Sequence, residues 1–152
     1  MARRGIESLL RYIAAIAACS RARRHEATQR VGPDIKITRE GELVRVTYRG
    51  DVEYEGTTEM LRKVAALAAE TQSQALLFDI REANYRDYHL GTIRHAEEGP
   101  SLGIDKAFRI AFLGKEGNPM LDYVAAVTTN RGYWTRAFTD EARALAWLRD
   151  RI

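Results

Sequence analysis

Five segments of the chain have the alternation or the continuous apolar character of β-strands. A glycine at position 41 favours a tight hairpin between the first two segments, because glycine adopts positive φ at little cost. The third and fourth segments are almost continuously apolar, which is typical of central strands covered on both faces. The last segment alternates, which favours an edge strand. The predicted strands are residues 34–38, 43–48, 75–78, 107–113 and 133–138.

Four further segments place apolar residues at helical spacing. The first is predicted to begin at Thr57 or Thr58, and the third begins at Asn118 followed by Pro119, a favoured N-cap and first-turn pair. The last is predicted to be capped by Thr139. Together the elements predict an α/β domain with the order β-β-α-β-α-β-α-β-α, a mixed sheet with helices packed on it. The predicted helices are residues 57–70, 86–97, 118–130 and 139–152.

The charge divides the chain into a basic extension, residues 1–30, and a domain, residues 34–152. The extension has seven arginines against two glutamates, a net charge of +5, which leaves −2 for the remainder of a chain whose total is +3. A domain without net positive charge argues against nucleic-acid binding. We therefore predict no nucleic-acid partner.

Several interpretations of the extension are open. Its apolar stripe favours an amphipathic helix docked on the domain or on a second protomer. Residues 6–24 could instead contact an anionic membrane surface, or the stretch up to Cys19 could be an export signal. The extension could also be non-native, with translation starting near Val31. As the single cysteine, Cys19 allows no intrachain disulfide, which favours the reducing cytoplasm.

The body of the chain resembles the STAS superfamily, in particular its divergent SpoIIAA-like branch, which is related to CRAL-TRIO-type lipid-transfer folds. The motifs that carry the resemblance are the stretches 76–79 (LLFD), 108–111 (FRIA), 130–132 (NRG), 135–140 (TRAFTD) and 144–148 (ALAWL). The resemblance implies a STAS-like fold and a binding or regulatory role. STAS anti-sigma antagonists carry a phosphorylatable Ser or Thr after the aspartate-terminated strand. The corresponding stretch here, residues 80–89, contains neither, so that role is not expected.

Candidate ligand-binding residues follow the two central strands, since ligands of open α/β sheets bind beyond the carboxyl ends of the strands. One predicted loop runs from Asp79 to His89, and the other from Gly114 to Asn118. An ordinary structural role is the alternative for each loop: a carboxylate that accepts backbone amides, and a strand-to-helix turn with an asparagine cap. The candidates are Asp79, Asn84, Tyr85, Tyr88, His89, Lys115 and Asn118.

Signatures of catalysis and cofactor binding are absent from the sequence. His89 and His95 are six residues apart and match no zinc spacing. No nucleophile elbow, P-loop or dinucleotide fingerprint is present. We therefore expect no metal, no cofactor and no catalytic residues.

The sequence thus predicts a cytoplasmic, non-enzymatic STAS-like module that binds a small apolar or anionic ligand or a protein partner. One alternative is a self-associating structural or interaction protein, such as a homodimer that pairs through the strand around Trp134. A second is a small hydrolase that uses Asp79, His89 and Tyr85.

Overall fold

The computed structural model describes residues 28–31, 34–86 and 88–150. They form six strands, four α-helices and one short 3-10 helix. The strands are β1 (Thr28–Val31), β2 (Ile35–Glu40), β3 (Leu43–Asp51), β4 (Ala75–Asn84), β5 (Arg109–Leu113) and β6 (Trp134–Phe138). The helices are α1 (Tyr54–Thr71), α2 (His89–Glu98), α3 (Pro119–Asn130) and α4 (Glu141–Arg149), and the 3-10 helix is Gly99–Leu102.

The six strands form one mixed sheet in the order β1-β2-β3-β4-β5-β6. β1, β2 and β3 are antiparallel neighbours, whereas β3 to β6 are parallel. The central register places Phe78 beside Val46 on one side and Phe112 on the other. Each parallel crossover carries one of the first three helices, so these helices pack on the same face of the sheet.

Two apolar clusters cover the two faces of the sheet. The larger one joins α1 and α3 to residues such as Val46, Phe78 and Ile110. The smaller one joins α4 to the intervening strand positions, such as Leu77 and Ala111. Because side chains alternate along a strand, each central strand supplies apolar residues to both clusters. This explains the continuous apolar runs of β4 and β5.

From β2 onward, the element order is the predicted β-β-α-β-α-β-α-β-α, and the strand around Trp134 lies at an edge of the sheet. The sheet also contains β1, which precedes the predicted domain start at residue 34 and shares three residues with the predicted extension. β1 joins the sheet because its backbone pairs antiparallel with Ile35–Thr38 of β2. The other predictions for the extension, including residues 6–24 and Cys19, concern residues outside those described.

Of the predicted turn and cap residues Gly41, Asn118 and Thr139, the first two are confirmed and the third was wrong. Gly41 has a φ of +61° in the β2–β3 turn, as predicted. Asn118 caps α3, its side-chain oxygen accepting a hydrogen bond from the amide of Met120 at 3.0 Å. The predicted cap at Thr139 was wrong by one residue, because Asp140 accepts the amide of Arg143.

The predicted start of α1 at Thr57 or Thr58 was wrong. The helix begins at Tyr54, and its N-cap position, Glu53, makes no side-chain cap. Thr58 lies one turn inside the helix, where its hydroxyl donates to the carbonyl of Tyr54 at 2.9 Å. The threonine that resembled a cap is thus satisfied within the helix.

The strand containing Asp79 was predicted too short. β4 continues to Asn84, because β3 resumes pairing with it after a register shift between Thr47 and Arg49. The Asp79 carboxylate fits inside the strand because Arg81 neutralises it. The candidate residues after the strand therefore start five positions later than expected.

Candidate functional site

An apolar cavity of about 100 Å³ lies within the larger cluster. Its floor is the face of β3, β4 and β5, represented by Val46, Phe78 and Ile110. Its walls come from α1, α2, α3 and the 3-10 helix, represented by Met60 and Val124. Protein cores are normally packed with few voids of this size. The cavity is therefore a candidate ligand site.

One corner of the cavity is polar and centres on His95 of α2. The ring atom Nδ1 of His95 lies 3.1 Å from the hydroxyl of Tyr88, and Nε2 lies 2.9 Å from the hydroxyl of Thr58. The Thr58 proton is already donated to the carbonyl of Tyr54, so Thr58 accepts from Nε2–H. This assigns the Nε2–H tautomer to His95, and its Nδ1 accepts the hydrogen bond from Tyr88.

Aromatic stacking holds this corner in place. The ring of Tyr54 stacks on that of His95 with centroids 4.5 Å apart. The Tyr54 hydroxyl donates to both carboxylate oxygens of Glu98, at 2.5 and 2.6 Å, which ties α1 to α2. The guanidinium of Arg94 lies 4.4 Å from the Tyr54 ring centroid. The side chains of Tyr54, Thr58 and His95 are thus in contact with one another.

The pKa values of this corner favour uncharged side chains. Burial lowers the pKa of His95, because removal from water penalises the imidazolium. Burial raises the pKa of Tyr88 to about 12, and it also raises the pKa of Tyr85. At neutral pH the cavity is therefore lined by neutral groups, which suits an uncharged apolar body.

Gly91 sets the position of the Tyr88 ring. A Cβ atom at this position would lie 2.5 to 2.8 Å from three atoms of that ring. The absence of a side chain allows α2 to approach the ring closely, and the hydroxyl then reaches His95 on the next turn.

A separate groove of about 580 Å³ lies outside the cavity, where β4 ends and α2 and α3 begin. It brings together four of the seven candidates named from the sequence: Asn84, Tyr85, His89 and Asn118. Asn84 is engaged on both sides of its amide, because it donates to Asp51 at 2.7 Å and accepts the amide of Arg86 at 3.2 Å. Asn118 is used as the α3 cap.

The other three candidates lie elsewhere. Tyr88 lines the inner cavity. Lys115 is exposed and pairs with Glu82 at 3.2 Å. Asp79 shares the opposite face of the sheet with Leu77, where its carboxylate pairs with Arg81 at 2.7 Å.

Asp79, Tyr85 and His89 therefore do not line one common pocket. Tyr85 packs against the larger cluster, on the face away from Asp79. His89 is exposed and contacts the ring of Tyr123 edge-on. This arrangement does not support the hydrolase alternative.

Sequence reasoning missed the residues that hold His95 and two residues of the groove. Tyr54 and Thr58 are one turn apart on α1, and this spacing was the available signal that they face the same side. Their contact with His95 depends on how α1 packs on α2. In the groove, Arg86 and Tyr123 come from segments 37 residues apart, so only the fold brings them together.

The described residues offer no group of three or more His, Cys, Asp and Glu side chains arranged to hold a metal ion. Within the same ranges, none of the helices has both the length and the apolar character needed to cross a membrane.

No protein-family model matches the chain, and the search of curated proteins gave no match either. Among solved structures, it is similar to an uncharacterised protein of the DUF3478 family with a SpoIIAA-like fold from Shewanella loihica. The two are 23% identical, the alignment covers 75% of this chain and 91% of the other, and the TM-score is 0.46. The β-β-α-β-α-β-α-β-α order of the present chain, from β2 onward, rests on its own strand pairing and crossovers.

Proposed function

We propose that this chain is a non-enzymatic STAS-like module that binds a small apolar ligand between its sheet and its first three helices. The observation that carries the proposal is the apolar cavity of about 100 Å³ in the larger cluster. An enclosed cavity of this size would lower the stability of the fold by roughly 2 kcal/mol at about 24 cal/mol per Å³, which is the upper bound here. A ligand that fills the cavity would recover part of that free energy.

The volume limits the size of the ligand. At roughly 30 Å³ for a water-sized group, the cavity has room for about three methyl or methylene groups. Apolar cavities of somewhat larger volume bind benzene or xenon. We therefore expect a short aliphatic body to fit and a long acyl chain to be rejected.

Xenon is a suitable probe because it enters apolar cavities without requiring polar partners. We expect xenon pressure to shift the methyl resonances of Val46, Ile110 and Val124 in a ¹³C NMR spectrum. Ala96 lines the cavity, so Ala96→Leu should fill it and abolish these shifts. Ala66→Leu, on the exposed face of α1, is the control and should leave the shifts unchanged.

Wild-type protein with no xenon-dependent shifts at these methyl groups would contradict the proposal. If Ala96→Leu prevents folding, Val46→Ile adds a single methylene to the same cavity and provides a milder test. If the wild-type cavity does not admit xenon, binding of a protein partner is the version of the hypothesis that remains.

Self-association is a second candidate function, favoured by the position of β6 at the edge of the sheet. An open strand edge invites pairing with another strand. Trp134 on this strand has 40% of its surface exposed, which would place an aromatic side chain at such a contact. If light scattering gives the molar mass of the monomer even at high protein concentration, this function is excluded.

A further inference from the structure

The groove outside the cavity has the chemistry of an anion site. Its described lining includes one arginine and one histidine, Arg86 and His89, and no carboxylate. The remaining polar groups are the amides of Asn84 and Asn118 and the phenols of Tyr85 and Tyr123. Its volume of about 580 Å³ lies in the range usual for small-molecule sites.

Both basic side chains of the groove are available to a ligand. Within the described ranges, the Arg86 guanidinium takes part in no ion pair, and the ring nitrogens of His89 make no hydrogen bond. The nearby Lys115 differs, because Glu82 already neutralises it. Asp51 accepts a hydrogen bond from Asn84 but does not line the groove.

Tyr85 lies between the groove and the inner cavity, since it lines both spaces. Its ring packs edge-on against Tyr88, with centroids 6.2 Å apart. The Tyr85 hydroxyl makes no hydrogen bond to the described residues, so it is a further donor for a polar group. A ligand that extends from one space into the other would therefore pass this ring, with its apolar part in the cavity and its polar part in the groove.

We propose that the groove binds the anionic oxygen group of the same ligand whose apolar end occupies the cavity. The ligand is then a short-chain organic anion, with about three carbons enclosed and a carboxylate or phosphate group at Arg86 and His89. Arg86 supplies the charge and paired donors that such oxygens accept. This inference rests on the proposed function, because it assigns the polar end of the ligand in that cavity.

Butyrate and butyramide form a matched pair of probes, since they share a propyl chain and differ in charge. We expect butyrate to bind about tenfold more tightly in NMR titrations of the whole chain, and to shift both cavity methyl groups and the backbone amides of Tyr85, Arg86 and His89. Propyl phosphate, measured in parallel, distinguishes a phosphate from a carboxylate preference. Acetate and inorganic phosphate test the groove without the apolar chain.

Arg86→Gln should lower the affinity for butyrate about tenfold and leave that for butyramide unchanged. Arg62→Gln, on the exposed face of α1, is the matched control and should change neither. His89→Gln gives a second, independent test of the groove. Equal melting temperatures of the variants would show that lost affinity does not reflect lost folding.

Equal binding of butyrate and butyramide, or an Arg86→Gln variant with undiminished affinity, would overturn the anionic assignment while leaving the cavity proposal intact. Binding of acetate as tightly as butyrate, or of inorganic phosphate as tightly as propyl phosphate, would also overturn it, because the apolar chain would then contribute nothing from the cavity. Entry of xenon without binding of either propyl anion has the same consequence. Absence of xenon entry would instead refute the proposed function itself.

Discussion

Replacing Gly91 by alanine tests whether the Tyr88 ring is a fixed wall of the cavity. The new Cβ would stand 2.5 Å from Cζ and 2.7 and 2.8 Å from the two Cε atoms of the ring, so the ring has to move. Movement would break the 3.1 Å contact between the Tyr88 hydroxyl and Nδ1 of His95. Gly91→Ala should therefore destabilise the fold, although alanine is the better helix former.

The magnitude follows from three opposing contributions. Alanine gains up to about 1 kcal/mol over glycine in a helix. Overpacking costs roughly 1–3 kcal/mol, and loss of the hydrogen bond costs about 1 kcal/mol. We therefore expect the free energy of unfolding to fall by about 1–3 kcal/mol.

Gly56→Ala is a closely matched control. Gly56 and Gly91 are each the third residue of their helix, but the nearest atom to a Cβ at Gly56 is the Tyr48 hydroxyl oxygen, 3.9 Å away. This is an ordinary contact, so we expect a gain of up to about 1 kcal/mol. Urea denaturation of both variants measures the difference. A Gly91→Ala protein as stable as Gly56→Ala would refute a fixed Tyr88 ring.

Two further predictions concern the ionisable groups. Burial lowers the pKa of His95 in the folded protein. As the pH falls through about 6.5, the histidine is therefore protonated in the unfolded chain before it is protonated in the folded one, so the free energy of unfolding should decrease below that pH. His95→Gln should reduce this decrease in urea midpoints measured from pH 8 to 5, and an unchanged slope would contradict it. Burial alone would raise the pKa of Asp79, but the hydrogen bonds from Arg81 outweigh it and lower that pKa. Because the Arg81 side chain is 39% exposed, Asp79→Asn should cost only about 1–2 kcal/mol at pH 7, the charged hydrogen bond being screened by solvent. The difference in stability between Asp79→Asn and wild type should disappear as the pH falls from the unfolded pKa of about 3.9 through the lower native pKa. Thermal unfolding measured from pH 7 to 2 tests this, and a difference that persists at pH 2 would contradict it.

Short-range signals in the sequence determined most of the fold. Apolar periodicity predicts the strands from β2 onward and the four helices, because one residue in two or in 3.6 has to face the core. Gly41 and Asn118 act within a few residues of their own position, which makes their roles readable in the sequence. The prediction at Thr139 failed because the neighbouring Asp140 can also act as a cap. The prediction at Thr57 or Thr58 failed because α1 begins earlier, at Tyr54, without a side-chain cap.

The candidate site was only partly readable. The sequence indicates which residues follow the central strands, and four of them share the groove. It cannot indicate that Asp79 remains inside β4, since this depends on the resumed pairing of β3 after the register shift.

The tertiary structure alone decided the cavity and the position of the groove beside it. A void arises where side chains from three strands and three helices fail to fill the space between them. Its presence depends on side chains that are far apart in the sequence, so no local pattern predicts it. His95 meets Tyr88 and Thr58 only because α1 and α2 pack on the same face of the sheet. The sequence by itself thus determined the elements from β2 onward and their order, whereas long-range packing determined where a ligand could fit.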